Sequence, residues 1–240
     1  MIVAVVQARM SSNRLPGKVM APILGEPMIA KQLERVRRAR TLSKVVVATS
    51  TDCSDEPLAC YLTSKGQSPF RGSLRDVLGR VAGAARAAGE PTHVVRLTAD
   101  CPLIDPEVID EAVRLALASG AAYVGNIEPR TYPVGLEVEV MTAEALFAAD
   151  AEATDPRERE DVALFLRRRP ERFAHAALTQ PVDRSALRWA VDGPGDFAFV
   201  RGVYEALYPT NREFGSREVL DLMCEDAGLA VHKDGLARAA

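Results

Sequence analysis

The chain has 240 residues, 48% apolar and 26% charged, which fits one large globular domain and excludes disordered or fibrous architectures. Thirty cations against 33 acids leave a formal charge of −3, too small and of the wrong sign for a general nucleic-acid binder. No apolar run reaches the length of about 18 residues that spans a membrane, and Ile2–Val6 lacks the preceding cationic segment of a signal peptide, so a cytoplasmic address is expected.

In chain order, Ile2–Ala8 reads as a buried strand ending in a loop over 9–26. Pro27 stands at a first helical position, and residues 28–39 place Ile29, Leu33 and Val36 on one face. Lys44–Thr49 is a second buried strand, followed by a helix over Asp55–Ser64 and a short strand at Ser68–Phe70. Asp76–Ala88 is helical with Gly89 as its stop, His93–Thr98 is a strand, and Pro106–Ala118 is a helix closed by Gly120. This alternation predicts an α/β fold, a mostly parallel twisted sheet with helices on both faces. Ligands of such sheets bind beyond the carboxyl ends of the strands, where segments 9–18 and 99–104 begin.

From about residue 126 the rhythm changes. Val134–Val140 alternates as a half-buried antiparallel strand, 143–149 and 157–168 read as helices, and 173–178 and 186–191 as strands. Helices over 196–208 and 216–227 close the chain. The expectation is a single domain over 1–240, in which 126–185 projects as a small hairpin-bearing lobe.

The four cysteines (Cys53, Cys60, Cys101, Cys224) form no CxxC pair, and His93, His175 and His232 stand far apart. Packing or surface roles are expected for all seven, without zinc. Charge is unevenly spread: residues 1–50 hold nine cations against two acids, a balance of +7, leaving −10 for the rest. Arg35, Arg37, Arg38 and Arg40 suit the dipole and solvent at a helix C-terminus. Arg9, Arg14 and Lys18 lie in a loop without a local acid.

Three segments carry chemistry. In Gln7–Lys18, the small polar Ser11, Ser12 and Asn13 let backbone N–H groups approach an anion, and Arg9, Arg14 and Lys18 can neutralise a triphosphate. The charge pattern alone fits a solvated basic loop equally well. In Thr98-Ala99-Asp100-Cys101-Pro102, Asp100 ends an apolar strand, a place for a carboxylate that holds Mg²⁺ or for one that forms a turn or helix cap. In Val191-Asp192-Gly193-Pro194-Gly195-Asp196, Asp192 again follows an apolar run, and Asp196 most simply caps the next helix. A triphosphate cradle with two carboxylates for a bridging metal suits nucleotidyl transfer.

QARMSSNRLPGK, residues 7–18, resembles the signature loop of the cytidylyltransferases that activate acidic sugars, in particular the spore-coat-polysaccharide branch, written QARMGSTRLPGK. VVVATS, FRGSLRDVLGR, VRLTADCPLIDP, YPVGLEVEV and VDGPGDF follow in that branch's order. The loop together with LTADCPLIDP is the specific part of the match. The resemblance implies a nucleotide-diphospho-sugar transferase-like fold, CTP as substrate, Mg²⁺ as cofactor, and a homodimer built through the lobe at 126–185. By position, it implies that Arg9, Ser11, Arg14 and Lys18 line the triphosphate, with Ala8, Ser12, Asn13 and Thr98 beside them. Arg71, Ser73 and Asp76 match the nucleoside end, and Asp100 and Asp192 match the metal ligands. Catalysis would rest on Arg9, Arg14, Lys18 and Asp100.

Three departures stand out. The branch's REHVTPY is Arg159-Glu160-Asp161-Val162-Ala163-Leu164-Phe165 here, with Asp161 replacing a histidine. VDTPED has become VDGPGD, and Ala190 occupies a position where sialic-acid relatives have a second aspartate. The reaction implied is attack by a sugar-acid hydroxyl on the α-phosphorus of CTP with loss of pyrophosphate, and no side chain stands out as general base. Arg130, Arg157 and Arg159 are cations open either to an acidic acceptor or to solvent. Two rivals remain: a glycosyltransferase using a nucleotide sugar, although Thr98-Ala99-Asp100 is no compact DxD, and a nucleotide-binding module that has lost catalysis. Neither a nucleic-acid nor a membrane partner is expected.

Overall fold

Apolar runs rich in β-branched residues, such as Val3–Val6 and Val45–Val47, suit strands covered on both faces, and a computed structural model, which describes residues 1–226 and 229, builds its sheet around them. In chain order the elements are β1 (Ile2–Gln7), β2 (Pro22–Ile23), β3 (Glu26–Pro27), α1 (Met28–Val36), β4 (Lys44–Ser50), α2 (Glu56–Ser64), β5 (Phe70–Gly72), α3 (Val77–Ala87) and β6 (His93–Thr98). There follow α4 (Pro106–Ser119), β7 (Tyr123–Gly125), β8 (Glu139–Thr142), α5 (Ala143–Glu152), α6 (Pro156–Glu160), α7 (Leu164–Arg167), β9 (His175–Ala177), α8 (Pro194–Leu207) and α9 (Ser216–Glu225).

The main sheet has the order β5-β4-β1-β6-β8-β7-β9. Every pairing in it is parallel except those of β8, which runs against both β6 and β7. Register aligns the carboxyl ends of the central strands, with Gln7 opposite Ala48 of β4 and Thr98 of β6. On one face Ala4, Val6, Val95 and Leu97 pack with Ile29 and Leu33 of α1, Ile109 and Val113 of α4, and Val200 and Val203 of α8. On the other, Val3, Val5 and Val94 pack with Leu78 and Val81 of α3, Leu146 of α5, and Phe165 and Leu166 of α7. The segment 126–185 therefore divides. Residues 126–138 form a loop at the carboxyl edge, while α5 and α7 send apolar side chains into the core beside β1. Among the described residues no helix is long and apolar enough to cross a membrane.

Several element expectations shift for physical reasons. The strand expected over Val134–Val140 starts only at Glu139, because Gly135 turns at φ +110° and the Asn126 side chain satisfies Leu136 O (2.7 Å) and Val138 N–H (2.9 Å) in place of a strand neighbour. Residues 186–191 make a single parallel bridge, Val134 to Arg188, rather than a strand. The helix expected over 157–168 breaks at Asp161, whose extended backbone (φ −94°, ψ 103°) separates α6 from α7. α1 stops at Val36, and Arg35 is not a solvated C-terminal cation. It is 2% exposed and donates to the carbonyls of Leu103, Ile104 and Phe214. The strand at 68–70 moves to Phe70–Gly72, α9 ends at Glu225, and residue 227 of the expected helix, like His232, lies outside the described residues.

Candidate active site

Beyond β1 the chain passes through Ala8 and Arg9 into a loop that closes on itself. The Gly17 N–H donates to Met10 O at 2.9 Å, and Gly17 takes the left-handed φ of +73° that favours glycine. The loop is also anchored from β4. Asp55, fully buried, accepts from Met10 N–H at 2.6 Å, Thr49 Oγ1 at 3.1 Å and Ser50 N–H at 3.0 Å. Sequence reasoning missed Asp55, since only the fold brings Met10 to it.

After the loop a short 3-10 turn, Lys18–Met20, carries the Lys18 side chain inward until it is 10% exposed. Its ammonium donates to Val191 O at 2.6 Å and lies 3.4 Å from both Asp100 Oδ2 and Asp192 Oδ1. Asp100 follows β6, while Asp192 precedes α8. The two segments are joined by Val191 N–H donating to Asp100 O at 2.7 Å. Gln32 of α1 steadies the end of β6 by donating to Thr98 O at 2.7 Å.

Burial pushes the Asp100 carboxyl up, but the Lys18 ammonium and the Thr98 hydroxyl outweigh it and hold the group below its ordinary range. Cys101 beside it is buried, and burial together with Asp100 and Glu137 pushes its thiol well above the ordinary value. Arg14 is 69% exposed, yet its Nη2 lies 2.9 Å from Asp192 Oδ2.

These groups line a cavity of about 280 Å³ that gathers Ala8, Arg9, Ser11, Ser12, Asn13, Arg14, Lys18, Thr98, Asp100 and Asp192. The structure thus brings together every candidate from the loop and both aspartates. Ser11, Asn13 and the two arginines are exposed at the rim, where an anion can reach them. Asp100 and Asp192 converge on one point, already marked by an ammonium, and their hard oxygens fit Mg²⁺. Among the described residues no cluster of three or more His, Cys, Asp or Glu could hold a metal, so a cation here would take its other ligands from phosphate and water.

A second cavity of about 430 Å³ shares Gln7, Ala8, Arg9 and Thr98 with the first. Its walls pair charges: Arg96 with Glu139, Arg130 with Glu137, and Arg167 with Asp161. Tyr123 Oη donates to Glu139 at 2.8 Å. Asp161 stands in this wall.

Arg71, Ser73 and Asp76 are not among the lining residues of either cavity. Arg71 donates to Ser50 O at 3.0 Å and pairs with Glu56 at 2.6 Å, and the Ser73 hydroxyl accepts from Asp76 N–H. Asp76 caps α3 through Gly79 N–H and pairs with Arg159. The next turn, Val77 and Arg80, does reach the second cavity. Of the cations considered for an acidic acceptor, Arg130 lines that cavity, Arg159 is held by Asp76 and Asp150, and Arg157 is exposed and paired with Asp155.

A cytidylyltransferase family model matches residues 3–192. The chain is 30% identical over 211 residues to the spore coat polysaccharide biosynthesis protein SpsF of Bacillus subtilis, covering 85% of this chain and 86% of that one. It superposes with a TM-score of 0.88 on a cytidylyltransferase from Leptospira borgpetersenii, at 28% identity and 95% coverage of both chains. A CMP:2-keto-3-deoxy-manno-octonic acid synthetase complexed with CTP shares the fold, with a TM-score of 0.60 at 18% identity, over 85% of this chain and 98% of that one. With the matched span running from β1 to Asp192, and so enclosing the loop, Lys18 and both aspartates, this chain belongs to the cytidylyltransferase family.

Proposed function

We propose that this chain moves CMP from CTP to a hydroxyl of a sugar acid and releases pyrophosphate, using Mg²⁺, in the building of a surface polysaccharide or glycoconjugate. The observation that carries the proposal is the convergence of Lys18, Asp100 and Asp192 at the mouth of a cationic, small-residue loop. The CTP complex of a protein of the same fold, whose other substrate is a keto sugar acid, supports the choice of nucleotide and acceptor.

In the first cavity, backbone N–H groups at Ser11 to Asn13, the Arg14 guanidinium and the Lys18 ammonium receive the triphosphate. Asp100 and Asp192 would hold Mg²⁺, which neutralises charge on phosphate oxygens when bound. The second cavity, joined at Arg9 and Thr98, receives the acceptor beside the α-phosphate. Its arginines offer planar pairs of donors, and Glu137, Glu139 and Asp161 offer acceptor oxygens to sugar hydroxyls. Holding the hydroxyl in line with the bond to pyrophosphate is the contribution of these walls. Association of two copies through 126–185 rests on the resemblance and belongs to the same proposal, and a cytoplasmic setting is proposed with it.

The test is incubation with CTP, Mg²⁺ and a panel of 2-keto sugar acids, scored for pyrophosphate. Release that depends on one of the acids is expected. Transfer of sugar from a supplied CMP- or UDP-sugar without pyrophosphate would establish a glycosyltransferase instead. Tight CTP binding with no pyrophosphate from any acceptor would establish a silent nucleotide-binding module.

A further inference from the structure

We infer that Arg188 is a positioning residue that makes Asp192 a one-oxygen ligand, an inference that rests on the metal–nucleotide proposal above. The Arg188 side chain is 15% exposed, and its guanidinium spans two carboxylates. Nη2 donates to Asp192 Oδ2, and Nε lies 3.3 Å from Asp196 Oδ1. The other oxygen of Asp196 accepts from the N–H groups of Asp192 and Gly193, each at 2.8 Å. The Asp192 carboxylate and its own backbone are therefore held by one unit of two residues. Oδ2 is committed to Arg188, and Oδ1 is the oxygen turned toward Asp100, where the Lys18 ammonium now sits. Arg14 also touches Oδ2, but at 69% exposure it is a loose partner beside the enclosed Arg188.

The base of Arg188 is equally constrained. Its flanking residues exchange hydrogen bonds with Val134, from Val134 N–H to Leu187 O at 2.9 Å and from Trp189 N–H to Val134 O at 2.6 Å, and Trp189 is fully buried. A guanidinium on such a base is a rigid fork, and a lysine ammonium cannot reproduce two donors in one plane. Groups that orient a metal-ligating carboxylate govern affinity for the metal, typically by 10- to 100-fold.

The experiment compares wild-type protein with Arg188→Lys, which keeps the charge and removes the fork. Mn²⁺ serves as the probe, its free concentration read by electron paramagnetic resonance in the presence of CTP, with metal-free CTP affinity measured in parallel. Arg188→Lys should bind Mn²⁺ about tenfold more weakly while metal-free CTP affinity is kept. A merely structural role would instead lower both affinities together, and Mn²⁺ affinity equal to wild type would overturn the inference. Should Arg188→Lys not fold, Asp196→Asn decides. Its amide can still cap residues 192 and 193 but turns a donor toward Arg188, so Mn²⁺ affinity should fall several-fold, and no change would overturn the inference. Wild-type protein that binds neither CTP nor Mn²⁺ would overturn the nucleotide proposal itself, and this inference with it.

Discussion

The N–H of Val191 donates to the carbonyl of Asp100 at 2.7 Å, and this one backbone bond ties the segment before α8 to the turn after β6. It sets the adjoining Asp192 across from Asp100, with Lys18 bonded to Val191 O between them. The ammonium meets three acceptors from two segments far apart in the chain.

Lys18→Ala should weaken CTP binding by about 10- to 100-fold, the range expected from losing a charged hydrogen-bonding group in a partly enclosed site. CMP, which lacks the β- and γ-phosphates, should lose little. Titration calorimetry with the two nucleotides checks the difference, and equal losses would show that Lys18 only supports the fold.

Asp100→Asn should lower turnover by a factor of about 100 or more, as expected where charge that develops in a transition state loses its stabilising partner. Its stability effect should depend on pH in a defined direction. The folded pKa of Asp100 lies below the ordinary value, so the charged group stabilises the fold fully above the unfolded pKa of about 4 and loses that contribution as pH falls through the folded pKa. The Tm difference between wild type and Asp100→Asn should be constant above about pH 5 and shrink below about pH 4. A difference that grew on acidification would contradict the assignment.

Much of the scaffold was legible because local signals carried it. β1, β4 and β6 are short runs rich in β-branched residues, and α4 is framed by the Asp105 cap, Pro106 and the left-handed Gly120. Ser11, Arg14, Lys18 and Asp100 were readable as chemistry because they follow strand ends in a parallel sheet, whereas Asp192, which follows no strand, was joined to them by the resemblance. Arg188, Asp55 and Gln32 were not readable. Asp55 and Gln32 act on backbone groups brought near only by the fold, and Arg188, though four residues from Asp192, lies in a non-helical segment where that spacing signals no contact. The alternation of Val134–Val140 was a true signal of burial, with Leu136 and Val138 buried, but the Asn126 amide had taken the hydrogen bonds a strand would need. Arg35 misled for the opposite reason, being a cation whose partners are three carbonyls of loop residues far along the chain.

Gly135→Ala should damage both stability and site. Gly135 sits at φ +110°, and an added Cβ would lie 2.5 Å from Ala190 N and 2.6 Å from Trp189 C. Relief requires moving the 188–192 segment that presents Asp192. A loss of about 2 kcal/mol or more, seen as a Tm drop of roughly 4 to 8 °C, is expected from backbone strain and overlap together. Scanning calorimetry on the variant checks it, and an unchanged Tm would mean that this contact yields easily.

Thiol chemistry reports the packing around Asp100. Cys53, Cys60 and Cys224 are exposed, whereas Cys101 is 3% exposed and its thiol pKa is raised. At pH 8 a disulfide reagent should modify three thiols of the folded protein and reach the fourth only on unfolding. Rapid reaction of all four would place Cys101 in contact with solvent.

The most direct measurement is anomalous scattering from Mn²⁺ in crystals grown with CTP. One peak is expected between Asp100 Oδ2 and Asp192 Oδ1, with the Lys18 ammonium turned to the phosphates. Bound nucleotide with the metal elsewhere, or with Lys18 still between the two carboxylates, would contradict the shared-ion site on which the proposed chemistry stands.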